Sequence, residues 1–419
     1  MGQWKIIFRR MKRSLFLVIC FFQGYFLAQV PPLSTRGSHL IDANESVFSM
    51  RGVNWWGANG SQYPYSEFHS KGINTHAMPF GIHLQHIDTI VAAIKSAGFN
   101  TLRLPFSNQM LHDTTRAKKD WVGPNNFLLN KTPIEVLDEV ITRLSDAGIC
   151  VLLNNHSTTT HWCCNFDYNG LWFGKNKYFD QTTKQWINDW KFLANRYKSN
   201  LWVIGADLRN EVRPQRTPYF LPKNANWGRK NKKDWHRAAT QAGDAIHVLN
   251  PNWLIVVEGI NARVNPLMQL SFPHLKSVRK KPIILKIPNK LVYEVHNYSF
   301  SWTKANILRL KKSTTYNDLS TEQRMKAYEQ NWGYITKMEG SATPVIVGEF
   351  GCSVHDKHAE EWLRDLTVYM SQNSIGSCWW TLEEEIAEPS SYGILNDALN
   401  EINVFKDWRG THLQKYWKP

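Results

Sequence analysis

Residues 132–157, TPIEVLDEVITRLSDAGICVLLNNHS, contain the repeating unit that decides the fold. Their first part has apolar residues at helical spacing, with Thr132 as N-cap, Pro133 at the first helical position and Glu135 placed to complete a capping box. This pattern predicts a helix over 133–147. The run 149–153 is continuously apolar, as buried parallel strands are, and it ends in the polar residues NNHS.

The same alternation of short apolar runs and amphipathic stretches continues in both directions along the chain. Eight strands with intervening helices favour an α/β fold closed into a (β/α)8 TIM barrel over an open sheet. No linker, low-complexity segment or repeat divides residues 29–419, so we expect one domain there. The predicted strands are 53–56, 101–104, 149–153, 203–206, 254–257, 291–295, 344–347 and 377–380, and the predicted helices are 86–97, 133–147, 181–197, 235–249, 322–338 and 360–370.

The first 28 residues resemble a secretory signal peptide. They carry five basic residues and no acid, followed by an apolar run over 15–27 and then Ala28 as a cleavage point. The alternative is an uncleaved anchor, but the run is shorter than the ~20 residues that a spanning helix needs. We therefore expect cleavage, no membrane span in the mature chain, and a secreted, extracellular protein.

The chain is basic, with 50 Lys and Arg residues against 35 Asp and Glu. Without the signal peptide, 45 basic residues would remain against the same 35 acids. We expect this excess to be dispersed rather than clustered in a stripe, which argues against a nucleic-acid partner and favours acidic wall polymers or tolerance of salt.

Five cysteines lie outside the predicted signal peptide, so at least one is unpaired within the chain. The sequence does not assign their pairing. The segment 156–164, HSTTTHWCC, has the residue types of a metal site, but its spacing fits no zinc signature, so we expect no metal. The five cysteines are Cys150, Cys163, Cys164, Cys352 and Cys378.

In a TIM barrel the chemistry lies where the strands end, so the polar residues there are candidates. Glu211 follows the fourth predicted strand and Glu349 the seventh. Two acids facing each other across a barrel mouth are what glycoside hydrolysis needs. We read Glu258 and Glu384, which also follow apolar runs, as structural. The full candidate set is Arg103, His156, Asn210, Glu211, His296, Tyr298, Glu349 and Trp380.

Several short motifs at successive strand ends resemble glycoside hydrolase family 5, and most closely its secreted endo-β-1,4-glucanases, the cellulases. The resemblance covers about residues 51–395. The motifs are GFNTLRLPFSNQML (98–111), GADLRNEV (205–212), EVHNY (294–298), GEFG (348–351), CWW (378–380) and SYGIL (391–395).

The resemblance implies a retaining mechanism, with Glu211 as general acid/base and Glu349 as nucleophile. A carboxylate beside an arginine keeps a low pKa, whereas one in a more apolar and anionic environment stays protonated, and we expect these two environments to assign the two roles. The other implied roles are Asn210 on the 2-hydroxyl of the sugar, Arg103 and Tyr298 against Glu349, His156 and His296 lining the sugar site, and Trp380 as a stacking platform.

The sequence thus predicts a monomeric endo-β-1,4-glucanase that acts on β-glucan polysaccharides or oligosaccharides and needs no cofactor. Two alternatives stay open. Another family 5 specificity could apply, such as mannan, mixed-linkage or other β-glucan, or glycolipid. The chain could also be a non-catalytic carbohydrate-binding protein. Further candidates for sugar platforms are Trp55, Trp56, Trp172, Trp227 and Trp302.

Overall fold

A computed structural model describes the chain from residue 30 to residue 417 with several gaps. The predicted signal peptide, Cys163, Cys164 and Glu384 lie outside the described residues. Within them, no helix is both long enough and apolar enough to cross a membrane. The described ranges are 30–60, 75–161, 168–175, 179–216, 222–265, 269–306, 313–356, 358–383, 392–396 and 398–417.

Eight parallel strands form a closed barrel in chain order, and the last strand pairs with the first. This confirms the predicted α/β class and (β/α)8 TIM-barrel architecture. The strands are β1 (Arg51–Asn54), β2 (Thr101–Ser107), β3 (Cys150–Ser157), β4 (Val203–Asp207), β5 (Leu254–Glu258), β6 (Leu291–His296), β7 (Val345–Phe350) and β8 (Gly376–Trp379).

Helices surround the barrel. The capping box predicted for the second of them is present, with both the Thr132 and Glu135 contacts made. The longer helices are α1 (Ile87–Ser96), α2 (Pro133–Asp146), α3 (Thr183–Arg196), α4 (Trp235–His247), α5 (Thr321–Asn331), α6 (Ala359–Gln372) and α7 (Trp408–Trp417). Two one-turn helices cover Asn108–Leu111 and Lys119–Val122.

Two connections differ from the expected pattern. The predicted helix 322–338 ends at Asn331, where Trp332 takes an extended φ of −157°, and a 3-10 helix, Gly333–Lys337, continues the segment. Between β5 and β6 the described residues contain no α-helix. They form short strands instead, Arg263–Val264 and Gln269–Ser271, and the second of these pairs with Trp302–Asn306.

The strands divide the barrel interior into two layers. The lower layer is apolar and includes Leu152, Ile204, Val292 and Ile346. Strands β2 and β3 run further than predicted, to Ser107 and Ser157, with every residue buried. Because the polar residues that end these two strands are buried, the upper layer of the interior is built from polar side chains. Among the described residues, the thiols of Cys150, Cys352 and Cys378 are buried and free.

The predicted even spread of positive charge is wrong. Residues 223–290 carry 13 Lys and Arg residues against three acids, an excess of ten. That excess equals the whole net charge of residues 29–419. The charge therefore lies on one part of the barrel, the segment from the loop after β4 to the residue before β6.

Candidate active site

Arg103 of β2 is the centre of the polar layer. Its side chain is fully buried and donates hydrogen bonds to four side chains on other strands or the loops that follow them. The acceptors are Asp207 at 2.7 Å, Asn54 at 2.9 Å, Glu349 at 2.7 Å and Asn210 at 2.9 Å. A planar guanidinium has five N–H groups in a fixed fork, so one arginine can orient all four neighbours at once.

Glu349 of β7 is held by two donors, one on each oxygen. Arg103 donates to Oε1, and the hydroxyl of Tyr298 donates to Oε2 at 3.0 Å. The side chain is 5% exposed. These contacts fix the carboxylate in one orientation at the barrel mouth.

Glu211 follows β4 and faces Glu349 at this mouth. The carboxylate oxygens of the two acids approach to within 4.8 Å. Glu211 has a φ of +40°, in the left-handed region that a residue with a side chain rarely adopts, and such residues cluster at functional sites. Its backbone N–H donates to the carboxylate of Glu258. The strained backbone is thus held by a partner on the neighbouring strand.

His296 of β6 lies between the two acids. Its Nδ1 atom is 3.1 Å from Glu211 Oε1 and 3.3 Å from Glu349 Oε2. Burial lowers the pKa of His296, but the surrounding carboxylates, first those of Glu258 and Glu349, outweigh burial and hold that pKa well above its usual range. The donor atoms of Glu211, His296 and Glu349 are close enough to hold a metal ion. A protonated histidine, however, donates hydrogen bonds rather than ligating, so the trio is arranged for acid–base chemistry.

Two buried acids beneath this site were not predicted from the sequence. Glu294 of β6 lies 3.2 Å from Arg103 Nε, and Asp207 of β4 also binds that atom. Glu258, read as structural, supports Glu211. A signal for Glu294 exists in the sequence, because it precedes His296 by two residues and so points to the same face of its strand.

These extra acids change the electrostatics. Burial, followed by the charge of Glu294, raises the pKa of Asp207 well above its usual range, and burial likewise raises the pKa of Glu258. Although burial acts against ionisation, the charge of Arg103 lowers the pKa of Glu294 to about 2. Arg103 therefore shares its charge among three carboxyl groups, those of Asp207, Glu294 and Glu349.

In the free protein the pKa values of the two facing acids stand in the reverse of the expected order: that of Glu349 is raised and that of Glu211 is lowered. Burial raises the pKa of Glu349, and the charges of His296 and Arg103 only partly offset this rise. For Glu211 burial also acts upward, but the hydrogen bond and charge of His296 lower its pKa overall. The difference arises because Glu349 is the more deeply buried of the two acids and because the charge of Glu211 itself raises the pKa of Glu349.

His156 and Trp380 form a flat wall of the site. Their rings are nearly parallel, at 11°, with centroids 5.4 Å apart. Burial, reinforced by the charge of Arg103, holds the pKa of His156 well below its usual range, so the ring is neutral. Its Nδ1 faces the Asn154 side-chain oxygen at 2.8 Å and therefore carries the proton.

The other predicted sugar platforms differ in how far the structure exposes them. Trp55 and Trp172 are buried in the core, so they are not platforms. Trp56 packs with Tyr298 and Trp380 in an aromatic cluster at the mouth. Trp302 is 47% exposed. All eight candidate site residues that the sequence singled out meet around one opening at the carboxyl ends of the strands.

Comparison with known proteins gives a consistent result. The model of the cellulase family, glycosyl hydrolase family 5, matches residues 57–385. An endoglucanase of Paenibacillus polymyxa is 30% identical over 389 residues, which are 89% of this chain and 87% of the relative. The major extracellular endoglucanase of Xanthomonas campestris is 28% identical over 80% of this chain and 66% of the relative.

Solved structures agree on the fold. One is a complex of an endocellulase from Pyrococcus horikoshii with cellotetraose, which has a TM-score of 0.68 and 24% sequence identity. The match covers 92% of this chain and 98% of that one. The family model spans most of the barrel and the resemblance seen in the sequence points the same way, so the chain belongs to the cellulase family, glycosyl hydrolase family 5, and is a glycoside hydrolase.

Proposed function

We propose that the protein is a secreted, monomeric endo-β-1,4-glucanase that hydrolyses internal bonds with retention of anomeric configuration. The observation that carries this proposal is the approach of the Glu211 and Glu349 oxygens to within 4.8 Å. Retaining glycosidases place their carboxyl groups about 5–5.5 Å apart, whereas inverting enzymes leave roughly 6.5–9.5 Å for a water molecule. The closest approach between oxygens of the two acids, at most 4.8 Å, is shorter than the separation in inverting enzymes and so supports retention.

In the first step Glu349 attacks the anomeric carbon, and Glu211 gives its proton to the glycosidic oxygen. The bond between these two sugar atoms breaks, and a glycosyl ester of Glu349 forms. In the second step Glu211 takes a proton from water, whose oxygen attacks the same carbon from the opposite face. The bond to Glu349 breaks, and its carboxylate is restored.

The remaining residues orient these groups. Arg103 and Tyr298 hold Glu349 with one oxygen in each contact, and Arg103 also fixes the Asn210 amide, which would bind the 2-hydroxyl. His156 and Trp380 offer a flat surface that suits the apolar face of a pyranose.

Catalysis needs a protonated Glu211 and an ionised Glu349, which is the reverse of their pKa order in the free protein. The binding of substrate must therefore reverse this order. The Glu211 side chain is 16% exposed in the free protein. A sugar in the cleft would displace the water around it, and desolvation raises the pKa of a carboxyl group. Glu211 would then be protonated when the glycosidic oxygen reaches it.

Relatives support the substrate class and the location. Two are named endoglucanases, one of them extracellular, and the Pyrococcus endocellulase is solved with cellotetraose. Together with the basic and apolar segment at residues 1–28, they support cleavage of a signal peptide and secretion of residues 29–419 as one catalytic domain.

A panel of carboxymethyl cellulose, barley glucan, mannan and xyloglucan tests the substrate class. We expect cleavage of the first two with a rapid fall in viscosity, as internal cleavage requires, and activity on mannan alone would overturn the assignment. Proton NMR of fresh products tests the stereochemistry. β-Anomers formed first indicate retention, and α-anomers formed first indicate inversion.

The roles of the two acids are tested by E349Q and E211Q. Each should lower kcat by several orders of magnitude while the protein still binds cello-oligosaccharides. Replacing Glu211 with alanine should allow azide to intercept the glycosyl ester and give β-glycosyl azide. The surface variant E401Q is the matched control and should keep full activity. Full turnover in E349Q would remove the proposed nucleophile.

A further inference from the structure

The positive charge of residues 223–290 gathers on two segments that are distant in sequence and adjacent in space. The Nζ atom of Lys281 donates to the Gly228 carbonyl at 3.2 Å, and the Trp227 indole donates to the Lys281 carbonyl at 2.8 Å. His236 contacts the Pro282 carbonyl at 3.0 Å. We name the resulting surface the basic face, and define it by Arg229, Lys230, Lys232, Lys233, Arg237, Arg279, Lys280 and Lys281.

The contacts that these cations make within the protein are with neutral groups: Lys281 binds the Gly228 carbonyl, and Arg279 lies over the Tyr334 ring at 3.9 Å. Six of the eight side chains are exposed and two, Lys233 and Lys281, are half-buried. Within the described part of the chain, no residue of the basic face has a carboxylate partner at ion-pair distance. The nearby Asp234 is buried and caps helix α4. Like charges gathered on one surface repel one another, so an anionic partner would stabilise them.

The basic face begins at the mouth of the barrel. Lys230, Lys232 and Arg237 line a cavity of about 330 Å³, which Trp172 and Thr183 also line. These residues belong to the loops that follow β3 and β4 or to the helix starts after them, and so lie at the end of the barrel that holds Glu211. A chain bound in the cleft and a polymer bound on the basic face would lie side by side.

We propose that the basic face binds an acidic polysaccharide of the polyuronate type. A neutral glucan gains nothing from eight cations, so the face serves a different polymer from the one that is cleaved. Five of the eight residues are lysines, which act as point charges and do not impose the bidentate geometry with which arginine binds carboxylate or phosphate. Polyuronates carry one carboxylate on each sugar along an extended chain, so they complement an extended surface of exposed cations in charge.

The aromatic residues of these segments favour a polysaccharide over single-stranded nucleic acid. Nucleic-acid grooves combine positive charge with exposed rings on which bases stack. Trp235 is buried here, and the half-buried Trp227 has its indole N–H bonded to the protein. The proposal concerns a second binding surface, and it stands whether or not the catalytic roles above are correct.

The test compares two variants that each lose three positive charges. K230Q/K232Q/R237Q removes charge from the basic face, and K198Q/K326Q/K415Q removes it from exposed lysines elsewhere. Binding of the purified protein to polygalacturonate is measured by calorimetry at low and high salt. Thermal unfolding and the rate on neutral hydroxyethyl cellulose, which should match wild type in both variants, show that folding and catalysis are intact.

We expect wild type and the control to bind with similar affinity, and the face variant to bind about tenfold more weakly with a shallower dependence on salt. Three results would overturn the proposal. They are no binding of wild type at low salt, an equal loss in the control variant, and tighter binding of single-stranded DNA than of polygalacturonate through the same three residues. The last result would identify the face as a nucleic-acid site.

Discussion

The Oε1 atom of Glu294 lies where a side chain at Gly348 would have to be. A Cβ atom added to Gly348 would come within 1.5 Å of that oxygen. The absence of a side chain at Gly348 therefore leaves room for the buried Glu294 carboxylate of the neighbouring strand β6. Glu294 in turn contacts Arg103 at 3.2 Å and His296 at 3.5 Å, so the space at Gly348 is connected to both cations of the site.

This relationship predicts that G348A will be strongly destabilising and that shortening Glu294 will relieve it. The added methyl group must displace Glu294, and a buried overlap of this kind costs roughly 1–3 kcal/mol or more. The double variant G348A/E294S leaves room for the methyl group. Denaturant unfolding of both single variants and the double variant gives the coupling energy. Purely additive effects would show that the two residues do not compete for the same space.

The position of His296 predicts a shift of the pH–rate profile in H296Q. The positive charge of His296 lowers the pKa of Glu211 and partly offsets the rise that burial causes in the pKa of Glu349. Removal of this charge should therefore raise both pKa values. In the free protein the two acids titrate as a coupled pair, and the two limbs of the profile report the two apparent pKa values of that pair. Both limbs should therefore move to higher pH, and kcat/KM at the optimum should fall.

Profiles of kcat/KM against pH for wild type and H296Q check this expectation. H247Q is the matched control, because His247 is also buried but bonds to the Trp253 carbonyl at the end of helix α4. Its profile should coincide with that of wild type. A shift of the H296Q profile to lower pH would contradict the charge assigned to His296.

Glu258 is predicted to position Glu211 rather than merely to fill space. It accepts the backbone N–H of Glu211, whose φ of +40° needs such support. E258A removes the acceptor, and small displacements of a catalytic group can cost about 10²-fold in rate. E258Q keeps an oxygen that can accept the same hydrogen bond, so it should recover most of the activity. Steady-state kinetics should show the loss in kcat rather than KM, and equal losses in the two variants would rule out the backbone contact as the cause.

The sequence was sufficient for the barrel and for the upper layer of the site. Apolar runs of strand length, separated by amphipathic stretches, predict eight parallel strands, and a polar residue at the end of such a run is visible without a structure. Glu294 was not predicted as a site residue because it lies inside a run of residues whose pattern is typical of a buried strand. Only the missing side chain at Gly348 and the charge of Arg103 explain how an acid can occupy that position.

Two further results depend on contacts that no local pattern contains. The pKa order of Glu211 and Glu349 follows from their unequal burial and from the charge of Glu211 acting on Glu349 across the barrel mouth. The basic face joins two segments about 40 residues apart through the contact of Gly228 with Lys281. The excess of charge in residues 223–290 can be counted in the sequence, but the adjacency of the two segments appears only after folding.

The arrangement around Arg103 predicts that R103K will fail in both stability and catalysis, although it conserves charge. Lysine has three donors on one nitrogen and cannot reach Asp207, Asn54, Asn210 and Glu349 together, as the guanidinium does. Buried carboxyl groups left without their partner cost about 3–5 kcal/mol. R196K is the matched control, since Arg196 pairs with Asp138 at a partly exposed site and should lose at most about 1 kcal/mol. Denaturant unfolding and kcat should separate the two variants, and an R103K protein as stable and active as R196K would mean that a single positive charge, without its geometry, is enough to organise the site.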